Sequence, residues 1–91
     1  MVERHPPEEL LSYPCLHEFK AFGPAADAAF QEAVLQAVNR VVAVSRDALR
    51  TKLSSGGRYQ CITVLVRLEN SAQLTGIYAI LRDVEGLRYL L

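Results

Sequence analysis

The stretch Tyr59-Gln60-Cys61-Ile62-Thr63-Val64-Leu65-Val66-Arg67-Leu68 limits what this 91-residue chain can fold into more than any other. Gln60, Ile62, Val64, Val66 and Leu68 fall on one side of a period-two repeat. Tyr59, Cys61, Thr63, Leu65 and Arg67 fall on the other. The first set is apolar apart from Gln60; the second is mixed. Such alternation specifies a strand that packs on helices through one face only. Ser54-Ser55-Gly56-Gly57-Arg58 stands just before it, and the Gly-Gly pair can supply the positive φ angles of a hairpin turn. A partner strand is therefore expected ahead of the turn. Residues 48–53 fit, with Leu49, Thr51 and Leu53 inward and Arg50 and Lys52 outward.

The remaining elements arrange themselves around this hairpin. Pro14 blocks a helix, and residues 15–22 alternate as a first strand, with His17, Phe19 and Ala21 inward and Glu18, Lys20 and Phe22 outward. Gly23-Pro24 is expected to stop that strand and open a helix from Ala25 to about Val42, with Pro24 at its first position. Phe30, Val34, Ala37, Val38 and Val41 recur there at helical spacing. A second helix follows residue 70. Asn70 and Gln73 have capping-box spacing, and Leu74, Ile77, Tyr78 and Leu81 form the buried stripe. Residues 87–91 make a short final strand.

This order, βαββαβ, predicts an α+β ferredoxin-like sandwich. Right-handed crossovers give a four-stranded antiparallel sheet of order 4-1-3-2, with two helices on one face. Residues 1–13, with Glu3, Glu8 and Glu9, read as a flexible leader that clasps the domain through Leu10, Leu11 and Tyr13. Residues 14–91 read as the domain.

Composition narrows the function classes. Ten Lys and Arg against ten Asp and Glu argue against a general binder of nucleic acid or acidic membranes. No apolar run approaches the ~18 residues of a membrane span, and the start has no hydrophobic signal core. A cytoplasmic location is the resulting expectation. Cys15 and Cys61 are too few for a disulfide framework, and with His5 and His17 they make a poor zinc set. Neither a metal nor a cofactor is expected. His17 has no accompanying nucleophile or carboxylate motif, so it reads as a packed strand histidine rather than a catalytic group. No catalytic residue is assigned, and the chain is expected not to be an enzyme.

Several motifs occur together in a fixed order. Tyr13-Pro14-Cys15 opens the first strand, Lys20 and Gly23 lie near its end, and Ser54-Ser55-Gly56-Gly57-Arg58-Tyr59 forms the turn. Ile77-Tyr78-Ala79-Ile80-Leu81 and the terminal Leu91 follow. In this the chain resembles the YbeD-like family of small bacterial proteins of uncharacterised function, over about residues 10–91. The family usually reads Pro-Ser-Ser-Lys-Gly-x-Tyr at the turn; here Leu53 replaces the proline and Gly56 the lysine. The resemblance implies a ferredoxin-like fold close to amino-acid-binding regulatory (ACT) domains, with no established activity. ACT sites use an Asp and a Gly-rich bend after the first strand, of which Gly23-Pro24 supplies only part.

A surface, rather than a motif, carries the functional expectation. Strand parity puts Lys20, Arg50, Lys52, Arg67 and Arg88 on the helix-free face, with Arg58 at its hairpin edge. Of the acids, Glu18 and Glu69 are the ones assigned there. The expected site joins these cations to Ser54, Ser55 and Tyr59, since backbone N–H groups of a Gly-rich turn can cradle an anion. The expected function is a regulatory or adaptor domain that binds a small anionic ligand or an acidic protein. A homodimer is compatible with it. The alternative is single-stranded nucleic acid on the sheet, with Phe22 and Tyr59 brought together as stacking groups. That reading is weaker, because Cys61, Thr63 and Leu65 hold the central outward positions where aromatics would be needed.

Overall fold

The structure is a computed structural model and describes residues 11–54 and 56–91. In chain order it has β1 (Cys15–Pro24), α1 (Ala28–Asn39), a 3-10 turn (Arg46–Ala48), β2 (Leu49–Leu53), β3 (Tyr59–Leu68), α2 (Ser71–Arg82) and β4 (Tyr89–Leu90). The strands form one antiparallel sheet in the order β2-β3-β1-β4, the expected order read from its other edge. With both helices on one face, this is the ferredoxin-like sandwich.

Burial follows the period-two pattern of the two central strands. Phe19, Ala21, Ile62, Val64, Val66 and Leu68 are buried, while their neighbours along each strand are half-buried or exposed. Phe30, Val34 and Val38 from α1 and Leu74, Ile77 and Leu81 from α2 close the core from above. Leu11 and Tyr13 pack against this core, so part of the expected clasp is formed; Leu10 and the acidic leader lie outside the described residues.

The link from β1 to α1 differs from the expectation. β1 runs through Gly23 and Pro24 instead of stopping before them, and Pro24 pairs with Tyr59. Proline is tolerated at a strand end where no ladder donor is needed, and β4 reaches only Ala21 and Phe22 on the other side. The helix begins later, at Ala28. Ala26 adopts a left-handed φ of 58°, and the Asp27 carboxylate accepts a hydrogen bond from Phe30 N at 3.1 Å. An aspartate in the cap role fixes the start more firmly than the alanines ahead of it. At the far end, Asn39 stops the helix: its amide donates to Leu35 O at 2.9 Å and accepts from Val44 N at 3.0 Å. The second helix starts as expected, with Gln73 N donating to Asn70 Oδ1 at 2.9 Å. The reciprocal bond goes one residue further out, from Glu69 N to Gln73 Oε1 at 2.7 Å.

The outer strands also depart in detail. Thr51 and Leu53 do face the helix side, but they are exposed, because the helices cover β1 and β3 and stop short of β2. In β4 the parity is reversed: Tyr89 pairs with Phe22 on the helix-free face, while Leu90 turns toward the core. Both cysteines are free. Cys61 pairs with Phe22, seven positions along the ladder from Cys15, or ~24 Å at strand rise, well beyond disulfide reach.

Two substitutions test this packing. Ile62→Ala opens a cavity under the helices at a fully buried site and should cost about 2–5 kcal/mol. Thr63→Ala, on the other face, should cost about 1 kcal/mol or less. Equal losses in denaturant melts would contradict a one-sided sheet. Gly23 is buried directly beneath the Phe30 ring, and a Cβ there overlaps the ring. Gly23→Ala should therefore cost about 1–3 kcal/mol through overpacking, and an unchanged melting midpoint would contradict that contact.

Candidate functional site

The helix-free face is built by four strands, and register decides which side chains share it. Leu16, Glu18, Lys20, Phe22 and Pro24 come from β1; Tyr59, Cys61, Thr63, Leu65 and Arg67 from β3; Arg50 and Lys52 from β2. Tyr89 and Leu91 join them at the other edge, where Lys20 exchanges both backbone bonds with Leu91 at 2.9 and 2.8 Å. Arg88 reaches the face by a route that strand parity does not foresee. It lies one residue before β4, and its guanidinium donates to the Tyr59 hydroxyl at 3.4 Å, 5.6 Å from the centre of that ring. Stacking of this kind adds a cation–π attraction.

The expected cations divide into two groups. Lys20 is occupied: its ammonium donates to Thr63 Oγ1 at 3.3 Å and lies 4.0 Å from Glu18. Arg67 pairs with Glu69 at 3.0 Å. The two acids assigned to this face thus offset two of its bases, and Arg88 is engaged by Tyr59. Arg50, Lys52 and Arg58 make no ion pair among the described residues. All three sit on the β2–β3 hairpin, so unpaired positive charge collects at one edge of the sheet.

Gly56 and Gly57 have φ of 86° and 71°, conformations that a side chain rarely adopts. Gly57 N donates to Ser54 O at 2.9 Å, and the Ser54 hydroxyl accepts from Tyr59 N at 3.2 Å. Ser54 is therefore committed to holding the turn. Ser55 lies outside the described residues.

Sequence reading passed over a second component of the face. Leu16, Leu65, Tyr89 and Leu91 are all markedly exposed and all lie on it. The Phe22 and Tyr89 rings meet edge to face, their centres 5.9 Å apart. Phe22 pairs with Cys61 rather than Tyr59, so the expected partnership of Phe22 with Tyr59 is replaced by one with Tyr89. The parity of Leu16 and Leu65 was readable from the sequence; the reversed parity of β4 was not. The face thus has a basic hairpin side and an apolar side.

His17 Nε2 lies 3.1 Å from the Tyr78 hydroxyl, and the Phe19 ring packs against both side chains. A groove of about 330 Å³ runs between the helix ends beside Ala37, Arg40, Ile80 and Asp83, on the opposite layer from the sheet face. Among the described residues, no group of three His, Cys, Asp or Glu side chains could hold a metal ion. No helix there is long and apolar enough to cross a membrane.

Burial holds the His17 imidazole below its ordinary pKa, against a smaller opposing pull from Glu18. The unfolded chain thus takes up a proton at this position more readily than the folded one. Stability from the neutral ring is complete above the unfolded value and is lost as pH falls through that value toward the folded one. Melting midpoints measured from about pH 7.5 down to about pH 5 should drop further for the wild type than for His17→Gln. Parallel curves would remove His17 from the acid response.

The profile of the family described as "Protein of unknown function (DUF493)" matches residues 8–91. A UPF0250 protein of Idiomarina loihiensis is 34% identical over 84 residues, 92% of this chain and 93% of its own. One from Neisseria gonorrhoeae is 36% identical over 93 residues and covers both chains fully. The solution structure of protein HP0495 from H. pylori superimposes with a TM-score of 0.71 at 15% identity, over 98% of each chain. That likeness bears on the fold alone.

Proposed function

Since the chain belongs to the DUF493 family, whose shared role is uncharacterised, we propose that it is a non-enzymatic regulatory or adaptor domain whose helix-free sheet face binds an acidic protein surface. One observation carries the reading: among the described residues Arg50, Lys52 and Arg58 stand without ion-pair partners on one hairpin, beside a face that also exposes Leu16, Leu65 and Tyr89. Apolar contacts beside a charged rim suit a protein interface. A small anion would use the cations and leave the apolar side uncovered, so it fits less well. In this reading Arg50, Lys52 and Arg58 lead the site, while Lys20, Arg67 and Arg88 are held by their own neighbours. The non-enzymatic reading is supported by the chemistry of the face, whose two acids, Glu18 and Glu69, are taken up by ion pairs and whose Ser54 is taken up by the turn.

Single-stranded RNA is the runner-up, favoured by Phe22 and Tyr89 side by side. Against it, those rings pack edge to face on each other, and Arg88 already lies over Tyr59. Retention of single-stranded RNA on a filter would shift the reading to nucleic acid.

The protein reading is tested with Arg50→Ser, Lys52→Ser and Arg58→Ser combined. Exposed charges alter stability by about 0.5 kcal/mol or less per site, so the variant should fold. Partners captured by the wild type at low salt should be lost by the variant, and high salt should weaken wild-type capture toward the same level. A folded variant that keeps every partner with the same salt dependence would reduce the face to a solvated surface.

A further inference from the structure

β2 forms one edge of the sheet, and its outer side is unpaired among the described residues. The ladder says which backbone groups point that way. Ser54 N donates to Tyr59 O at 2.8 Å, which makes these two a hydrogen-bonded pair. Antiparallel ladders alternate, so Lys52 with Cys61 and Arg50 with Thr63 are hydrogen-bonded pairs as well. The N–H and C=O groups of Thr51 and Leu53 then aim away from β3 and meet no backbone partner among the described residues, whereas the Leu49 N–H is taken by Arg46 O at the end of the 3-10 turn. On the helix side Thr51 is exposed and Leu53 is 60% exposed. On the other side stand Arg50 and Lys52, without ion-pair partners among the described residues.

A second copy of the chain is a poor occupant of this edge. Antiparallel self-pairing centred on Thr51 would set Arg50 opposite Lys52 twice, and centring on either neighbour would set a cation against itself. Like charges directly opposite are destabilising. An acidic strand meets the reverse situation, because each glutamate or aspartate at the matching parity faces a cation. We propose that β2 takes up an extended acidic segment of a partner protein as an added strand, with acids opposite Arg50 and Lys52 and an apolar residue opposite Leu53. This rests on the acidic-partner reading above and adds the mode of binding. Main-chain bonds to Thr51 and Leu53 would supply affinity, and the alternating side chains would supply selectivity.

The probe is a short synthetic peptide alternating glutamate and valine. Binding is followed by fluorescence anisotropy and by amide hydrogen exchange of the labelled protein. Thr51→Pro removes an outward N–H without removing a β2–β3 bond, the arrangement in which edge strands accept proline. The peptide should slow exchange at Thr51 and Leu53, Thr51→Pro should weaken binding about tenfold or more, and Arg50→Ser with Lys52→Ser should weaken it in a salt-dependent way. If the charge variant loses binding while Thr51→Pro and the exchange rates are unaffected, strand addition is wrong and the acidic-partner reading stands. If the peptide fails to bind, or binds equally to all variants, both are overturned. Should Thr51→Pro prove unfolded by circular dichroism, exchange at Thr51 and Leu53 in the wild type decides alone.

Discussion

Ten consecutive residue pairs join β1 to β3, from Cys15 opposite Leu68 to Pro24 opposite Tyr59, and every other element takes its position from that ladder. A slip of one residue in either strand would turn its core set outward, losing Phe19 and Ala21 from β1 or Ile62, Val64 and Val66 from β3. The register is locked at one end by two contacts that tolerate little change. Gly23 leaves room for the Phe30 ring directly above it. Beside it the buried Gln60 amide donates to Pro24 O at 2.7 Å and to Asp27 O at 3.1 Å, and accepts from Gln31 at 2.8 Å. A buried amide is costly when unpaired. Here its described bonds tie the end of β1, the cap residue Asp27 and the first turn of α1 to the start of β3, so the one polar member of this row holds the capped start of the first helix in place.

That history explains what could be read in advance and what could not. Period-two burial is a property of a strand covered on one side, so the inward sets of β1 and β3 and the order of elements were legible. Gln60 looked like an exception to its row, because the carbonyls it satisfies, at the end of β1 and at Asp27, lie 36 and 33 residues away in sequence. Gly23-Pro24 looked like a stop because proline opens helices well. Its place in the strand depends on Phe30 packing onto Gly23, which no local pattern states. The cap at Asp27 was readable by residue type, but the alanines before it masked the boundary. β4 is only two residues long. Its parity is set by pairing with Phe22 rather than by any alternation of its own.

The candidate site divides along the same line. Parity identified the residues of the helix-free face, yet parity counts charges without their neighbours. Once Glu18 and Glu69 are in place, Lys20 and Arg67 become parts of local ion pairs. Exposed pairs of that kind contribute little to stability, but they reduce the field those bases present to a partner. Among the described residues, the cationic side chains of this face left without a partner of any kind are those of Arg50, Lys52 and Arg58 on the β2–β3 hairpin, since Arg88 is held by Tyr59. The exposed apolar residues of the face come from β1, β3 and the β4 edge, so no single stretch of sequence displayed them together.

The two edges of the sheet are protected differently, and the difference bears on function. The β4 edge is kept short, one of the ordinary ways to prevent unwanted pairing. The β2 edge is longer and relies on charge. Arg50 and Lys52 are two residues apart on one face, hence ~7 Å apart in an extended strand, and their mutual repulsion in water is ~0.6 kcal/mol. Leu53, on the opposite face, stays largely in solvent. β2 therefore keeps its place mainly through its ladder to β3, with little help from side-chain burial. A partner that brought acidic groups and apolar cover to this edge would relieve the repulsion and bury Leu53 in one event. Among the described strands β2 combines an unpaired edge, unpaired cations and an uncovered leucine, which is why added structure would stabilise it more than it would the well-covered centre of the sheet.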